Sequence, residues 1–306
     1  MDPVHAKAEE WRAAGEDVAL ATVIATRRSA PRPAGAKLAV TATGHLFGSV
    51  SGGCVEADVA ERARAVLAGA PPELVTYGIA DDEAWSVGLP CGGEIDVFVE
   101  PYPGAPPFER GMSYVRLAGD RAGERWTEEG VHGQTHLEGE VFAESVAPPP
   151  RLLIVGAGDI AEALCRIAAT LGWRTAVLEP RRALHELVPS AGELIDAWPD
   201  EVGGLVDDET AVVSLVHEER LDLPALRAAL DGGAFYVGAL GSKRAQDRRR
   251  EALGADADRI HGPVGLDLGA EGPAEIALAI AAELLAAVRK GEAPAGAPPR
   301  QTVESR

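Results

Sequence analysis

The chain has 306 residues, of which 46% are hydrophobic and 25% charged, an ordinary globular composition with apolar material for more than one core. A formal net charge of -19 and a pI near 4.8 exclude the broad basic field that a non-specific grip on DNA, RNA or anionic lipid requires. A small anionic ligand, which needs only a local positive site, stays open.

The first residues, MDPVHAKAEEWRAAGEDVAL, contain no basic stretch followed by an apolar run, so no signal peptide is expected. No segment approaches the roughly 18 apolar residues of a membrane helix. A cytoplasmic protein with neither nucleic acid nor membrane as partner is the expectation. The three cysteines, Cys54, Cys91 and Cys165, are too few and too odd in number for a disulfide framework. They form no CxxC pair, so a structural zinc site is not expected.

In chain order, residues 1–14 read as a short helix, and 18–25, 37–40 and 46–50 as strands. A glycine turn, Ser51-Gly52-Gly53-Cys54, leads into a helix over 55–67. Strands follow at 74–77 and 95–99, and weakly patterned β structure is expected between 113 and 144. Pro148-Pro149-Pro150 then punctuates the chain, because proline triplets are extended and do not join central strands. The expected domains are therefore 1–147 and 151–291. Residues 292–306, rich in Pro, Ala and Gly, read as a disordered tail.

After the prolines, short all-apolar runs at 152–155, 175–178, 210–216 and 235–240 alternate with helical stretches that include 224–230 and 243–253. Strands buried on both faces and separated by helices make a parallel sheet. A last helix starts at Pro273, carries Ile276, Ile280, Leu284 and Val288 on one stripe, and ends at Lys290-Gly291. The fold class is α/β, with a C-terminal Rossmann-like doubly wound parallel sheet and an N-terminal α+β domain.

Gly156-Ala157-Gly158-Asp159-Ile160-Ala161 fits the dinucleotide turn G-x-G-x-x-G/A between a strand and a helix. Gly156 permits the tight turn, Gly158 lets backbone approach a pyrophosphate, and Glu179 ends the next strand, where an acid binds a ribose hydroxyl. Asp159 opposes this reading, since a carboxylate in the first helical turn repels a pyrophosphate. It equally suits a helix start that holds nothing. His217 follows the strand 210–216 at its carboxyl end, where ligands of open sheets sit. Ser242, in Gly238-Ala239-Leu240-Gly241-Ser242-Lys243-Arg244, opens a helix beside two cations, a second place for a phosphate.

In the N-terminal half, Gly52 and Gly53 can turn their N–H groups toward an anion, and a thiol at a helix start, as at Cys54, is placed as a nucleophile. Cys91-Gly92-Gly93 repeats the theme before the strand at 95–99. If the two turns meet, they make a thiol-lined anion pocket. Arg27, Arg28, Arg32 and Lys37 crowd around Ser29-Ala30-Pro31. Arg32 and Lys37 are the candidate anion clamp, and Arg27 and Arg28 read as a solvated loop. Cys165, inside a helix, reads as a small core residue.

Together these residues resemble the XdhC/CoxI family of maturation factors. The blocks that carry the resemblance are Ser29-Ala30-Pro31-Arg32, Gly35-Ala36-Lys37, residues 48–56, Cys91-Gly92-Gly93, the Gly156 turn, Tyr236-Val237-Gly238, residues 263–269 and Pro273-Ala274-Glu275-Ile276. The chain departs from the family pattern at Asp159, at Glu179-Pro180-Arg181 and at Val216 before His217. The resemblance implies a homodimeric protein that binds molybdenum cofactor (molybdopterin), supports its sulfuration with a cysteine desulfurase, and delivers it to a molybdenum hydroxylase apo-enzyme of the xanthine or carbon monoxide dehydrogenase type. It implies an accessory factor rather than an ordinary metabolic enzyme. Gly52, Gly53, Cys54, Cys91, Gly92, Gly93, Arg32 and Lys37 would surround that cofactor, with Cys54 and Cys91 near the molybdenum. The alternative is an NAD(P)-dependent oxidoreductase using Gly156, Gly158, Glu179, His217 and Ser242. A third reading is a protein-interaction subunit with a vestigial nucleotide fold.

Overall fold

A computed structural model describes residues 2–78, 93–131 and 133–290. The expected tail, Cys91 and Gly92 lie outside the described residues. The chain divides into two compact units, Met1–Pro148 and Pro149–Arg306.

The first unit opens with α1 (Pro3–Ala13), capped by the Asp2 carboxylate, which accepts from the Val4 N–H at 2.7 Å. β1 (Val18–Arg27), β2 (Lys37–Thr41), β3 (Leu46–Gly48), β4 (Glu73–Tyr77) and β5 (Glu94–Pro101) form an antiparallel sheet in the order β3-β2-β1-β5-β4. β1 is apolar along most of its length because both faces are covered. Ala19, Ala21 and Val23 pack with Val59 and Ala63 of α2 (Glu56–Leu67). Leu20 packs with Val4 and Ala8 of α1. Ile24 packs with Val115 and Phe142, which belong to β6 (Gly111–Arg116) and β9 (Val141–Val146). These two strands, with β7 (Arg125–Glu129) and β8 (His136–Glu138), make a second antiparallel sheet in the order β7-β6-β9-β8. Its weak sequence pattern follows from exposure, since β8 is exposed throughout and β7 nearly so.

Strand β3 ends at Gly48, earlier than the expected 46–50. Gly48 has φ +96°, and a Cβ there would lie 2.3 Å from the Lys37 carbonyl oxygen. The chain therefore leaves the sheet at Gly48 and enters the loop over 49–55.

The second unit is a parallel sheet of β10 (Arg151–Val155), β11 (Arg174–Leu178), β12 (Glu193–Ile195), β13 (Thr210–Ser214) and β14 (Tyr236–Ala239), in the order β12-β11-β10-β13-β14. Leu152 and Ile154 face Leu164 of α3 (Asp159–Thr170) and Ile280 and Leu284 of α6 (Pro273–Lys290). Leu153 and Val155 face Leu226 and Ala229 of α4 (Glu219–Asp231) and Leu253 at the end of α5 (Lys243–Leu253). Helices on both faces give the doubly wound arrangement expected from the sequence.

Helix α4 starts before the expected 224–230 and runs through Pro224. One missing N–H is tolerated there because Leu221, Ala225 and Leu226 are buried on either side of it. The edge strand β12 had no apolar signature, with Glu193 and Leu194 both exposed.

Candidate functional site

The loop between β3 and α2 is built around one carboxylate. Glu56 Oε1 accepts from Ser49 Oγ (2.6 Å) and from the N–H groups of Val50 (3.1 Å), Ser51 (2.9 Å) and Gly52 (3.2 Å). Its Oε2 accepts from Ser51 Oγ (2.5 Å), Gly53 N–H (2.9 Å) and Val55 N–H (3.2 Å). Gly52 and Gly53 adopt φ +81° and +112°, which lets successive N–H groups converge as a nest. Burial would raise the Glu56 carboxyl, but the bonds from Ser49 and Ser51 outweigh it and bring it down to about 2. The anion that the Gly52 and Gly53 N–H groups hold is thus internal.

The consequence is a fixed platform for Cys54. Its N–H donates to Ser51 Oγ at 2.9 Å, while its free side chain is exposed two residues ahead of α2. Two glycines bring this loop and the end of the second glycine turn to the same segment. A Cβ on Gly93 would stand 2.3 Å from the Ser29 carbonyl oxygen, and one on Gly52 would stand 4.0 Å from Pro31 Cβ. Segment 29–31 therefore lies against both.

The basic cluster separates by role. Arg32 is exposed, as is Arg28 at φ +61°, and neither has an ion pair among the described residues. Arg27 donates to buried Asp96 at 2.6 Å through Nη2 and at 3.3 Å through Nη1. Lys37 is buried, donates to the Gly35 carbonyl at 3.0 Å and pairs with Glu144 of β9. That pairing ties the two sheets of the unit together and takes Lys37 away from a ligand-facing role.

In the second unit, the Gly156 turn has the expected geometry. Gly156 takes φ +102° and donates to the Leu178 carbonyl at 2.9 Å; a Cβ there would lie 2.5 Å from Val216 Cγ1. Gly158, at φ +152°, precedes α3, whose first residue is Asp159. Glu179, however, is fully buried. Its carboxylate accepts from Ala157 N–H (3.0 Å), Arg181 N–H (2.9 Å), Arg181 Nε (2.7 Å) and Arg181 Nη2 (2.9 Å). Burial raises this carboxyl, and Arg181 with the Ala157 N–H lowers it further, so the net direction is down. The acid expected to meet a ribose is saturated, and one of its donors is the turn N–H that would face a pyrophosphate. This geometry gives no support to NAD(P).

His217 is exposed and Ser242 caps α5, its side chain accepting from the Ala245 N–H. Both line a cavity of about 310 Å³ at the carboxyl ends of β13 and β14. Cys165 is buried within α3, and burial pushes its thiol up to about 11. The segment 263–269 is fastened to α6 through Glu283, which accepts from Gly265 N–H (2.6 Å), Tyr236 OH (3.0 Å) and His261 Nδ1 (3.0 Å). Sequence reasoning missed Glu56, although an acid opening a helix after a Ser/Gly run is the signal that could have found it. It also missed Asp222 and Arg249, a buried pair in the cavity wall with no local signature. Among the described residues, no group of three or more His, Cys, Asp or Glu side chains is placed to hold a metal, and no helix is long and apolar enough to cross a membrane.

Comparison with known proteins places both units. Residues 11–78 match the model of the XdhC and CoxI family, and residues 152–284 match that of the XdhC Rossmann domain. A protein of Bacillus subtilis described as a probable xanthine dehydrogenase subunit is 30% identical over 88% of this chain and 93% of its own length. The molybdenum cofactor insertion chaperone PaoD of Escherichia coli is 28% identical over 88% of this chain and 83% of its own. The crystal structure of a xanthine dehydrogenase from Bacillus halodurans, 25% identical, superposes with a TM-score of 0.78 over 96% of this chain and 98% of that one.

Proposed function

This chain belongs to the XdhC and CoxI family, and from that premise we propose that it is a molybdenum cofactor-binding maturation factor. In this reading it holds the cofactor, supports its sulfuration, and passes it to a molybdenum hydroxylase apo-enzyme of the xanthine or carbon monoxide dehydrogenase type. A cysteine desulfurase is its sulfur-supplying partner, and it works as a cytoplasmic homodimer. The name of the Escherichia coli relative supports the insertion role, and that of the Bacillus subtilis relative supports the class of target.

The observation that carries the reading is the platform around Glu56. Seven donors saturate one internal carboxylate and leave the Cys54 thiol exposed on a loop with no spare N–H groups of its own to offer. Segment 29–31 runs alongside, followed by Arg32. This donor set fits the cofactor: a soft, exposed sulfur suits a molybdenum–sulfur centre, and exposed guanidinium groups without carboxylate partners among the described residues suit a terminal phosphate. When bound, the cofactor would supply the molybdenum centre that is to be sulfurated. Cys54 would position that end, Arg32 with Arg28 would hold the anionic end, and Gly52, Gly53 and Gly93 would let backbone come close. Cys91 is assigned to the same site. Lys37 acts behind it, holding β2 to β9.

The test is transfer. An apo-hydroxylase is incubated with this chain purified from a host that makes molybdenum cofactor, and its activity is followed. Activation by the wild type that falls at least tenfold with Cys54→Ser supports the proposal; equal activation by both chains, or none by either, removes it.

A further inference from the structure

In the second unit, α4 runs between two strips of opposite charge. Segment 193–209 carries seven acids and no lysine or arginine. Two of the acids are matched, Glu193 by Arg151 at 3.1 Å and Asp196 by Arg182 at 2.6 Å. Asp200, Glu201, Asp207 and Asp208 are exposed and have no ion pair among the described residues. Helix α5 is the reverse, with five cations against two acids, and of the cations only Arg249 is buried. Lys243 and Arg244 are exposed without an ion pair among the described residues, and Arg250 meets only Asp247 of its own helix, at 3.5 Å. The two strips lie on opposite sides of α4. Glu219 and Asp222 hold α5 through Arg248 and Arg249, each at 2.7 Å. Ala228 adjoins the helical segment Pro199–Leu205, where a Cβ on Gly203 would stand 3.1 Å from its carbonyl oxygen. Residues 219 and 228 are about two and a half turns apart, half a turn out of phase.

Where the three elements meet, a groove of about 430 Å³ opens, with Leu223, Pro224, Ala228 and Leu253 as apolar floor and Asp200 at its edge. Arg227 and Asp231 of α4 also line it and offset each other. Two residues before Asp200 stands Trp198, which is 58% exposed. Its ring has no aromatic or cationic partner among the described residues. Tryptophan beside an apolar groove is the side chain that most often anchors an interface.

We propose that this face binds a second copy of this chain about a twofold axis parallel to α4, with α5 of each copy over the acidic segment of the other. The order of charges selects the axis. Acidic strip, α4 and basic strip are read in reverse on a copy turned about a line along α4, so opposite charges meet. An axis across α4 in the same face would set acid on acid and base on base. A purely basic partner would satisfy segment 193–209 and be repelled by α5. A partner for both needs the same two strips in reverse order, and this chain carries them. The chosen axis keeps each residue at its level along α4, so Trp198 of one copy comes to the groove of the other. Three elements side by side, about 10 Å each, along a helix of 13 residues and about 20 Å, give a face of roughly 600 Å² in projection. That approaches the ~800 Å² of accessible surface per partner in a standard interface. Repulsion between two chains of net charge -19 is screened beyond about 8 Å at physiological salt, so the charges in contact decide. The proposal gives a surface to the homodimer proposed above and rests on that one point of the reading, not on cofactor binding.

Sedimentation velocity on the full chain tests this with two charge reversals at exposed positions, Asp200→Lys/Asp208→Lys and Lys243→Glu/Arg244→Glu, and with Trp198→Ala. Wild type is expected to be a dimer, and each variant alone should dissociate at least tenfold more readily. Mixing the two reversed chains should restore a dimer, because each strip of one then meets its opposite on the other. A monomeric wild type, dimers unchanged by all three variants, or reversed chains that do not pair when mixed overturn the proposal. Molybdenum and pterin content of the same preparations separates this failure from that of the function proposed above. Monomeric wild type that carries pterin overturns the dimer face alone, whereas pterin-free wild type whose dimer responds as described supports the face and counts against the cofactor-binding reading.

Discussion

Replacing Glu56 with Gln removes the charge on which the N–H groups of 50–53 and 55 and two hydroxyls converge, and puts an amide that is itself a donor in its place. The folded-state carboxyl lies at about 2 against an ordinary 4.5. A depressed carboxyl contributes stability that is fully present above the unfolded value and is lost as pH falls from about 4.5 toward 2. The full gap corresponds to about 3 kcal/mol at about 1.4 kcal/mol per unit. Glu56 is only partly buried, and screening by water brings the expected contribution to about 1–2 kcal/mol. Urea unfolding of wild type and Glu56→Gln at pH 7 should differ by that amount, and the difference should shrink steadily below pH 4. Equal stability at pH 7, or a difference unchanged at pH 3, would refute the view that this carboxylate organises the loop.

Three further outcomes follow from other parts of the molecule. His5 is held neutral, first by burial and then by the charge of Lys37, with its pKa lowered to about 4 from 6.5; stability should therefore fall as pH drops from 6.5 toward 4, and His5→Gln should flatten that slope in pH-dependent unfolding. Gly156→Ala combines a left-handed φ with a Cβ 2.5 Å from Val216 Cγ1, so it should cost about 1–3 kcal/mol in denaturant midpoints, and Val216→Ala should recover part of the loss. Thiol labelling of the folded chain should modify Cys54 quickly and spare Cys165 until unfolding, as peptide mapping would show; early labelling of Cys165 would contradict its place in the core.

Much of the second unit was legible because its strands are buried on both faces and so read as unbroken apolar runs between helices. The stripe of Ile276, Ile280 and Leu284 likewise announced α6, with Ile280 and Leu284 buried at its centre. Strands β7 and β8 had no such signal, since exposure removes the alternation on which a reading depends. The glycine loops were found as turns, but their acceptor was not. A nest is visible in Gly52-Gly53, whereas which anion fills it depends on the path of Glu56 in three dimensions. The same limit applied to Lys37 and Glu179, whose chemistry suits a ligand. Their partners, Glu144 at a distance of 107 positions and Arg181 folded back over Pro180 onto Glu179, are set by the path of the chain in three dimensions. Arg249 was hidden for the converse reason, as one of several arginines in a polar helix, distinguished only by its burial against Asp222.

The central claim is that unit one holds molybdenum cofactor at the Cys54 platform. Its most direct test is the molybdenum and pterin content of the full chain purified from a host that makes the cofactor, for wild type, Cys54→Ser and Arg32→Glu. The account predicts pterin with the wild type and a loss of at least tenfold in each variant, with all three folded by circular dichroism. Wild-type protein free of pterin and molybdenum, or variants that retain as much as wild type, would contradict it.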